Sequence, residues 1–290
     1  MALTINTNIS SIVAQRNLAN ATGSLNKAIE RMTTGYKINH AGDNAAGYSI
    51  ARNWETQLGS LDVAADNAAM GAEMMTTLED HYSLISSHLQ RVRDLTEQAA
   101  NGTYGTASLN AIKSEITARL EEVDRISKNC EYNGRHLMTA EINSDINLQV
   151  GLYSSDDSKI KLSSTLFAKG DVGTLFKTYS GDNTLDDVTK VATACAGSST
   201  ASGMLDKIDK VINQISERTT TLGAAQNRID SAIESIGVQS ENITSSLSTL
   251  RDADISKESS NFIQAQILQQ AAATLLSTAN QTPSIALNLL

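Results

Sequence analysis

The residues that could bind a metal ion or act as an acid and base are few and widely spaced. His81 and His88 are seven positions apart, about 10 Å along a helix, which is too far for both to bind one ion. His40 and His136 have no neighbouring residues in a metal-binding pattern. These spacings favour solvated or core-edge histidines, and we expect no metal site.

The cysteines and the enzyme motifs lead to a similar expectation. Cys130 and Cys195 are too few for a disulfide scaffold, and a disulfide between them has no support from their spacing. Cys130 falls on a hydrophobic seam, where a small buried residue is expected, whereas Cys195 lies in a Ser/Thr-rich stretch and is expected to be exposed. H-E-x-x-H, G-x-S-x-G and P-loop patterns do not occur. We therefore expect no catalytic residues, no cofactor and no enzymatic activity.

Composition narrows the classes of partner and of fold. The 290 residues include 23 Lys+Arg and 32 Asp+Glu, a formal charge of -9, which argues against nucleic acid as the main partner. Hydrophobic residues make up 40% and aromatic residues 4%, so the core should be aliphatic, and the single proline predicts long helices. There is neither a long apolar run nor a basic n-region before one. We expect no membrane span, and either a cytoplasmic protein or export without a cleaved signal.

Hydrophobic residues recur in steps of three and four at 53–101 and 222–250, a spacing typical of coiled-coil seams. A run at 109–130 has the same spacing and follows a Gly- and Asn-containing reversal, which predicts two antiparallel helices. The sequence thus predicts a mainly α fold, in which long antiparallel helices from the N- and C-terminal parts form a coiled-coil rod. The rod seam residues are Leu61, Met75, Leu78, Tyr82, Ile85, Leu89, Val92, Ile229, Ile236, Ile243 and Leu250.

The stretch between the two halves differs in composition. Alternating apolar and polar residues predict a small β-hairpin near 147–163. Residues 153–202 are rich in Ser, Thr, Gly and Asp and predict a short insertion, which on one interpretation is a solvated loop. The helical rod domain would then consist of 41–152 and 203–254, which leaves 1–40 and 255–290 as terminal segments.

Both terminal segments carry an apolar stripe at helical spacing. A rod closed by its own seams leaves little surface to cover these stripes, so we expect them to contact other subunits and to be disordered in the free monomer. A head-to-tail contact that does not close into a ring produces an open helical polymer. The predicted filament assembly residues are Leu18, Leu25, Ile29, Met32, Ile263, Ile267 and Leu275.

Several sequence motifs resemble those of bacterial flagellin, the subunit of the flagellar filament. Together they cover about the first 150 and the last 90 residues. They are ALTINTNI at 2–9, QRNL at 15–18, TGYKIN at 34–39, GDNAAG at 42–47, LQRVRDL at 89–95, RDAD at 251–254 and QAQILQQ at 264–270, with further matches at 279–290.

The resemblance implies a structural subunit that is exported unfolded by the flagellar type III apparatus and polymerises at the tip of an extracellular filament used for motility. The terminal helices would form an inner coiled-coil layer, the seam helices the next layer, and the insertion a small outer region that could carry O-linked sugars. It also implies an export chaperone and cap and hook-junction proteins as partners. The alternatives are a hook-associated junction protein of the flagellum and a non-polymerising coiled-coil binding module.

One candidate receptor site lies on the first seam helix. Arg91 and Leu95 are four residues apart and share a helix face. The seam phase leaves Leu95 outside the main stripe, so it is expected to be a singly exposed leucine beside a solvated arginine. By resemblance, Arg91, Leu95 and Glu115 match the residues through which Toll-like receptor 5 binds some flagellins. The following Thr96 and Glu97 depart from the more apolar pair usual there, which bears on the affinity and not on the site.

Overall fold

Helices make up most of the chain. The computed structural model describes residues 7–139, 142, 144–179, 181, 184–197 and 199–287. The helices are α1 (Ile9–Thr34), α2 (Ala45–Ala100), α3 (Thr106–Asn129), α4 (Val172–Tyr179), α5 (Val188–Ala196), α6 (Ala201–Arg251) and α7 (Ile255–Leu287). The mainly α class with long helices is confirmed.

The described residues divide into two compact units. The central unit is Gly59–Gln239, and the terminal unit takes the residues up to Leu58 and those from Ser240 onward. Both α2 and α6 contribute to each unit, because each of these helices continues across a boundary.

Two small antiparallel hairpins belong to the central unit. Strands β3 (Ile146–Gln149) and β4 (Lys159–Leu162) form the hairpin expected near 147–163. Strands β1 (Glu131–Tyr132) and β2 (Arg135–His136) form a second hairpin that the sequence analysis did not predict. Its turn residues, Asn133 and Gly134, have φ angles of 49° and 75°. An Asn-Gly pair with both φ angles positive is a common two-residue hairpin turn, so the signal was present in the sequence.

The core of the central unit contains the seam positions of α2. Leu61, Met75, Leu78, Ile85, Leu89 and Val92 are fully buried, as is Ile229 of α6, while Tyr82 and Ile236 are nearly so. Ile243 and Leu250, which lie in the terminal unit, are partly exposed. The residues with 3/4 spacing thus face the core along the central part of both helices.

The segment at 153–202 is not a solvated loop, contrary to that interpretation of its composition. Helices α4 and α5 pack into the central core, where Phe176, Val191 and Ala192 have no exposed surface. Cys195, expected to be exposed, is also fully buried. The apolar residues of α5 fall at i, i+3, i+4 and i+7 from Val188, the spacing of an amphipathic helix, but the surrounding Ser and Thr residues obscured this short pattern.

Helices α1 and α7 are antiparallel and pack against each other within the terminal unit. Hydrogen bonds join Asn8 to the Ala279 carbonyl at one end, at 2.7 Å, and Arg31 to Glu258 at the other, at 3.2 Å. The expectation that the ends have no partner within the chain is therefore wrong. Its cause was the weak hydrophobic signal of alanine, since the buried residues of these helices include Ala14, Ala21, Ala28, Ala265 and Ala272.

Capping interactions mark where the terminal unit's helices begin and end, and the capping residues belong to three of the flagellin-like motifs, TGYKIN, GDNAAG and RDAD. Gly35 ends α1 in the left-handed conformation, φ 74°, and donates its N–H to the Arg31 carbonyl at 2.9 Å. The Asn44 side chain accepts the Gly47 N–H at 3.0 Å at the start of α2. The Asp254 carboxylate accepts two backbone N–H groups from the first turn of α7.

Candidate assembly and receptor-binding surfaces

Large aliphatic side chains lie on the outer faces of α1 and α7. Among the predicted assembly residues, Ile29, Ile263, Ile267 and Leu275 are 44% to 64% exposed. Leu18, Leu25 and Met32 are partly exposed. Further exposed aliphatic residues on the same two helices were not predicted from the spacing; they are Ile9, Ile12, Val13, Ile255 and Leu268.

A groove of about 650 Å³ runs along the contact between α1 and α7. Its apolar lining includes Ala21, Leu268 and Leu275, and its polar lining includes Lys27 and Asn261. The groove continues the exposed aliphatic surface of α7 between the two helices. An amphipathic helix of another molecule could bury these side chains through apolar contacts.

A charged pair holds the two helices together beside this groove. Arg31 Nη1 lies 3.2 Å from Glu258 Oε1, and the Glu258 side chain is only 9% exposed. Glu258 also accepts a hydrogen bond from Asn261 at 3.2 Å, so both of its oxygens have partners. Its place in the first turn of α7 is favourable as well, because helix N-termini carry a partial positive charge.

Two of the three residues matched to a receptor site are on the surface of the central unit. Arg91 donates from Nε and Nη2 to Glu115 Oε1, both at 3.0 Å, and this pair joins α2 to α3. The two side chains are 44% and 39% exposed. Arg119, one turn further along α3, approaches the same carboxylate oxygen at 4.0 Å.

Leu95 is buried, with 2% of its surface exposed, so the interpretation of it as a singly exposed leucine is wrong. The reason is that α2 is flanked by more than one helix at this level. Arg91 contacts α3, whereas Arg93 binds Asp209 of α6 with Nε at 2.6 Å from Oδ1. The buried arc of α2 is therefore wider than the seam of a two-helix coil.

The two cysteines are free, buried thiols of the central core. Burial raises the pKa of Cys130 to about 12 and that of Cys195 to about 11. A hydrogen bond with Thr96 shifts the pKa of Cys195 in the opposite direction, by less than burial raises it. Because the thiolate is the reactive form, both thiols should be unreactive while the core is closed.

The histidines lie at separate places in the structure. His81 Nδ1 is 2.7 Å from the Thr77 carbonyl, one turn earlier on α2. His40 Nε2 is 2.7 Å from Glu30 Oε1 in the terminal unit. Within the described part of the chain, no three His, Cys, Asp or Glu residues are grouped so that they could hold a metal ion. Among the same residues, no helix has the length and apolar character needed to cross a bilayer.

Comparison with known proteins accounts for the whole chain. Residues 5–142 match the family model for the bacterial flagellin N-terminal helical region, and residues 205–290 match the model for its C-terminal helical region. Flagellin of Bacillus subtilis (strain 168) is 33% identical over 303 residues, covering 99% of each chain. Flagellin of Xenorhabdus nematophila is 33% identical over 313 residues, covering 100% of each.

A solved structure supports the fold. The chain is similar to a putative flagellar hook-associated protein from Vibrio parahaemolyticus with a TM-score of 0.61 and 13% identity, covering 72% of this chain and 100% of that one. At this identity the likeness concerns the fold alone. The two family models and the relatives of similar length carry the assignment, and on their evidence the chain belongs to the bacterial flagellin family.

Proposed function

We propose that the chain is a structural subunit that polymerises into the helical filament of the bacterial flagellum and so serves motility. Family membership supports the role of filament subunit and excludes an enzyme. The observation that carries the mechanism is the outward exposure of Ile263, Ile267 and Leu275 on a helix whose inner face already packs on α1. A sister molecule can bury the 51% to 64% of each side chain that is exposed, which contributes about 1–2 kcal/mol per residue.

The regions of the chain have different roles in this proposal. Residues 1–40 and 255–290 form the inner layer of the filament, residues 41–152 and 203–254 form the helical rod domain, and 153–202 contribute the outer surface. The buried seam residues, such as Leu78, Ile85 and Ile229, supply the internal packing of the rod. Assembly would then use mainly the side chains that this packing does not bury.

The flagellar assignment extends to export and to accessory partners. We propose that the chain passes unfolded through the flagellar type III apparatus to the outside of the cell, and that an export chaperone and the cap and hook-junction proteins bind it on the way. Large exposed aliphatic side chains on α1 and α7 support a need for a chaperone, because such surfaces promote aggregation before assembly.

We propose further that the monomer is a ligand of Toll-like receptor 5 through Arg91 and Glu115. Their exposure supports this role, since both side chains are accessible although they are paired with each other. Leu95 is buried and would contribute by supporting α2 from within the core. Receptor signalling by monomeric Arg91→Ala should fall, with Arg125→Ala as the control, because Arg125 is an exposed arginine of α3 that binds Glu122 instead.

The test of the filament role is electron microscopy of purified protein after addition of a polymerising salt. Wild-type protein should form long helical filaments, and removal of about 40 residues from either end should abolish them while the central unit stays folded. Protection of Cys130 and Cys195 from a thiol reagent reports that folding. Short caps without elongation would favour a hook-associated junction protein, and a stable monomer at every protein concentration would favour a binding module.

A further inference from the structure

The two connections between long helices in the terminal unit are joined to each other. One connection links α1 to α2, and the other is the short break between α6 and α7. Lys37 donates its N–H to the Arg251 carbonyl at 2.7 Å, and Ala253 donates its N–H to the Gly35 carbonyl at 2.8 Å. Between these bonds, Tyr36 and Asp252 form an isolated antiparallel β-bridge. The connection between α1 and α2 is therefore hydrogen-bonded to the connection between α6 and α7. We call these paired segments, residues 35–37 and 251–253, the joint.

Arg251 closes this joint with its side chain. The guanidinium carbon lies 4.1 Å from the centre of the Tyr36 ring, a cation–π contact. Nη1 of the same guanidinium donates to the Glu55 carboxylate on α2. The side chain is only 17% exposed. One residue at the end of α6 thus holds both the α1–α2 connection and the first part of α2.

The joint lies between the end of α1 and the start of α2, and between the end of α6 and the start of α7. Helix α1 ends at Thr34, two residues before Tyr36, and α7 begins three residues after Asp252. A change of backbone angle at the joint would redirect both helices with respect to the adjoining ends of α2 and α6. An open helical polymer repeats one contact geometry at every subunit, so variation in these directions would weaken every contact. Holding them fixed before association reduces the entropy lost on binding.

We propose that Arg251 is a positioning residue for filament assembly: its contacts with Tyr36 and Glu55 lock the joint and so fix the directions of α1 and α7. This inference rests on the proposed function, because it concerns assembly through the terminal helices. It predicts that loss of the guanidinium impairs polymerisation although Arg251 need not touch a neighbouring subunit. Lysine cannot present the planar group that stacks on a ring while binding a carboxylate, so it replaces arginine only in part.

The chain offers a closely matched control. Arg52 also contacts Glu55, with Nη1 at 2.9 Å from Oε2, and its guanidinium lies 5.5 Å from the centre of the Tyr48 ring. All three residues belong to α2, so these contacts connect no helix break. Arg52→Ala therefore removes the same kinds of interaction but leaves Arg251, its contact with the Tyr36 ring and the backbone bonds of the joint in place. Tyr36→Leu is a second test variant, which removes the ring and keeps the backbone bridge.

The experiment measures the monomer concentration that remains after salt-induced polymerisation of the full chain, together with amide hydrogen exchange of the monomer. For Arg251→Ala and Tyr36→Leu we expect this concentration to rise about tenfold, with a smaller rise for Arg251→Lys and a change of less than about twofold for Arg52→Ala. The amides of Lys37 and Ala253 should exchange about tenfold faster in Arg251→Ala, whereas those of the central seam should not change.

Two results of the polymerisation measurement would overturn the inference while leaving the proposed function intact. One is normal polymerisation of Arg251→Ala by a chain whose wild type forms filaments. The other is an equal loss in Arg52→Ala and Arg251→Ala, which would attribute the effect to general surface charge. If the wild type itself forms no filaments, the proposed function fails, and unchanged exchange at Lys37 and Ala253 would separately rule out the locking contact.

Discussion

The terminal helix pair, α1 and α7, and the core of the central unit bury residues of different sizes. Among the described side chains, the buried apolar residues of the pair are alanines, such as Ala21 and Ala272. The central core instead buries Tyr82, Phe167 and Phe176 completely or nearly so, together with many Leu and Ile residues. Since hydrophobic stabilisation is about 25 cal/mol per Å² of apolar surface buried, each alanine contributes far less than each core residue.

This difference separates packing within the chain from packing between chains. The central unit directs its large apolar side chains inward and can be stabilised by its own core. The terminal pair uses small side chains to bring α1 and α7 close together and directs large ones, including Ile267 and Leu275, outward. The pair is therefore organised within one molecule but covered only by assembly.

The largest effect should come from truncating a central core residue. Phe176→Ala removes a completely buried ring from α4, which should lower the free energy of unfolding of the central unit by about 3–5 kcal/mol. Thiol exposure of Cys130 and Cys195 during denaturant unfolding measures this unit, whereas fluorescence of Trp54, the one tryptophan of the chain, measures the terminal unit. Leu275→Ala is the control and should change neither stability by more than about 0.5 kcal/mol.

A substitution on the outer face of α7 should impair assembly without changing stability, in contrast to Phe176→Ala. Ile267→Asn should leave monomer unfolding unchanged and raise the monomer concentration in equilibrium with filaments about tenfold, because burial of the exposed 60% of this isoleucine in the subunit contact contributes about 1–2 kcal/mol. The matched control is Val238→Asn, which alters a similarly exposed aliphatic residue of the central unit. Equal losses of assembly in both variants would remove the distinction between the two regions.

How far the sequence predicted this arrangement depends on the length and strength of each signal. The 3/4 spacing along α2 extends over about ten helical turns, and the residues it selects from Leu61 to Val92 lie in the core. Helix α5 is only 9 residues long, so its pattern gave a weak signal within a polar stretch. The alanine contacts of α1 and α7 were missed because alanine barely marks an apolar face.

The candidate sites were less predictable, because they depend on residues distant in the sequence. The burial of Leu95 follows from helices that flank α2 on separate sides, whereas a seam pattern describes one side only. The stacking of Arg251 on Tyr36 joins positions that are 215 residues apart and have no shared periodicity. Such pairs are set by how the helices meet, which the spacing within each helix does not encode.

A smaller effect is expected in the pH dependence of the terminal unit's stability. Lys27, whose side chain is 51% exposed, lies 2.6 Å from Asp43, and its hydrogen bond is the main reason that the pKa of Asp43 falls to about 2. A lowered pKa in the folded state gives stability that is present above the ordinary value near 3.8 and disappears as pH falls through about 2.

Lys27→Met should therefore destabilise the terminal unit by about 1 kcal/mol or less at pH 6, since the lysine is half exposed, and the difference should vanish near pH 2. Trp54 fluorescence during denaturant unfolding over a pH series measures the effect. Lys257→Met, which changes an exposed lysine of α7, should show no such pH dependence. A loss that stays constant with pH would mean that Lys27 acts through its aliphatic chain and not through Asp43.

The smallest effect, with the opposite sign, should come from Asp124 in the central unit. This half-buried carboxylate accepts the Val172 N–H at 2.7 Å at the start of α4. Burial raises the pKa of Asp124, with Asp171 and Asp187 acting in the same direction. A raised carboxyl pKa gives stability that is fully present below the ordinary value near 3.8 and is lost as pH rises through the folded value.

Asp124→Asn keeps an oxygen that can accept the Val172 N–H but removes the charge. It should stabilise the central unit by about 0.5 kcal/mol at pH 7 and have no effect near pH 3, as measured by amide hydrogen exchange of the central core in denaturant. Glu121→Gln, at an exposed position of the same helix, controls for net charge. A loss of stability at pH 7 would show that the hydrogen bond to the charged carboxylate outweighs burial, and that the charge helps to dock α4 on the core.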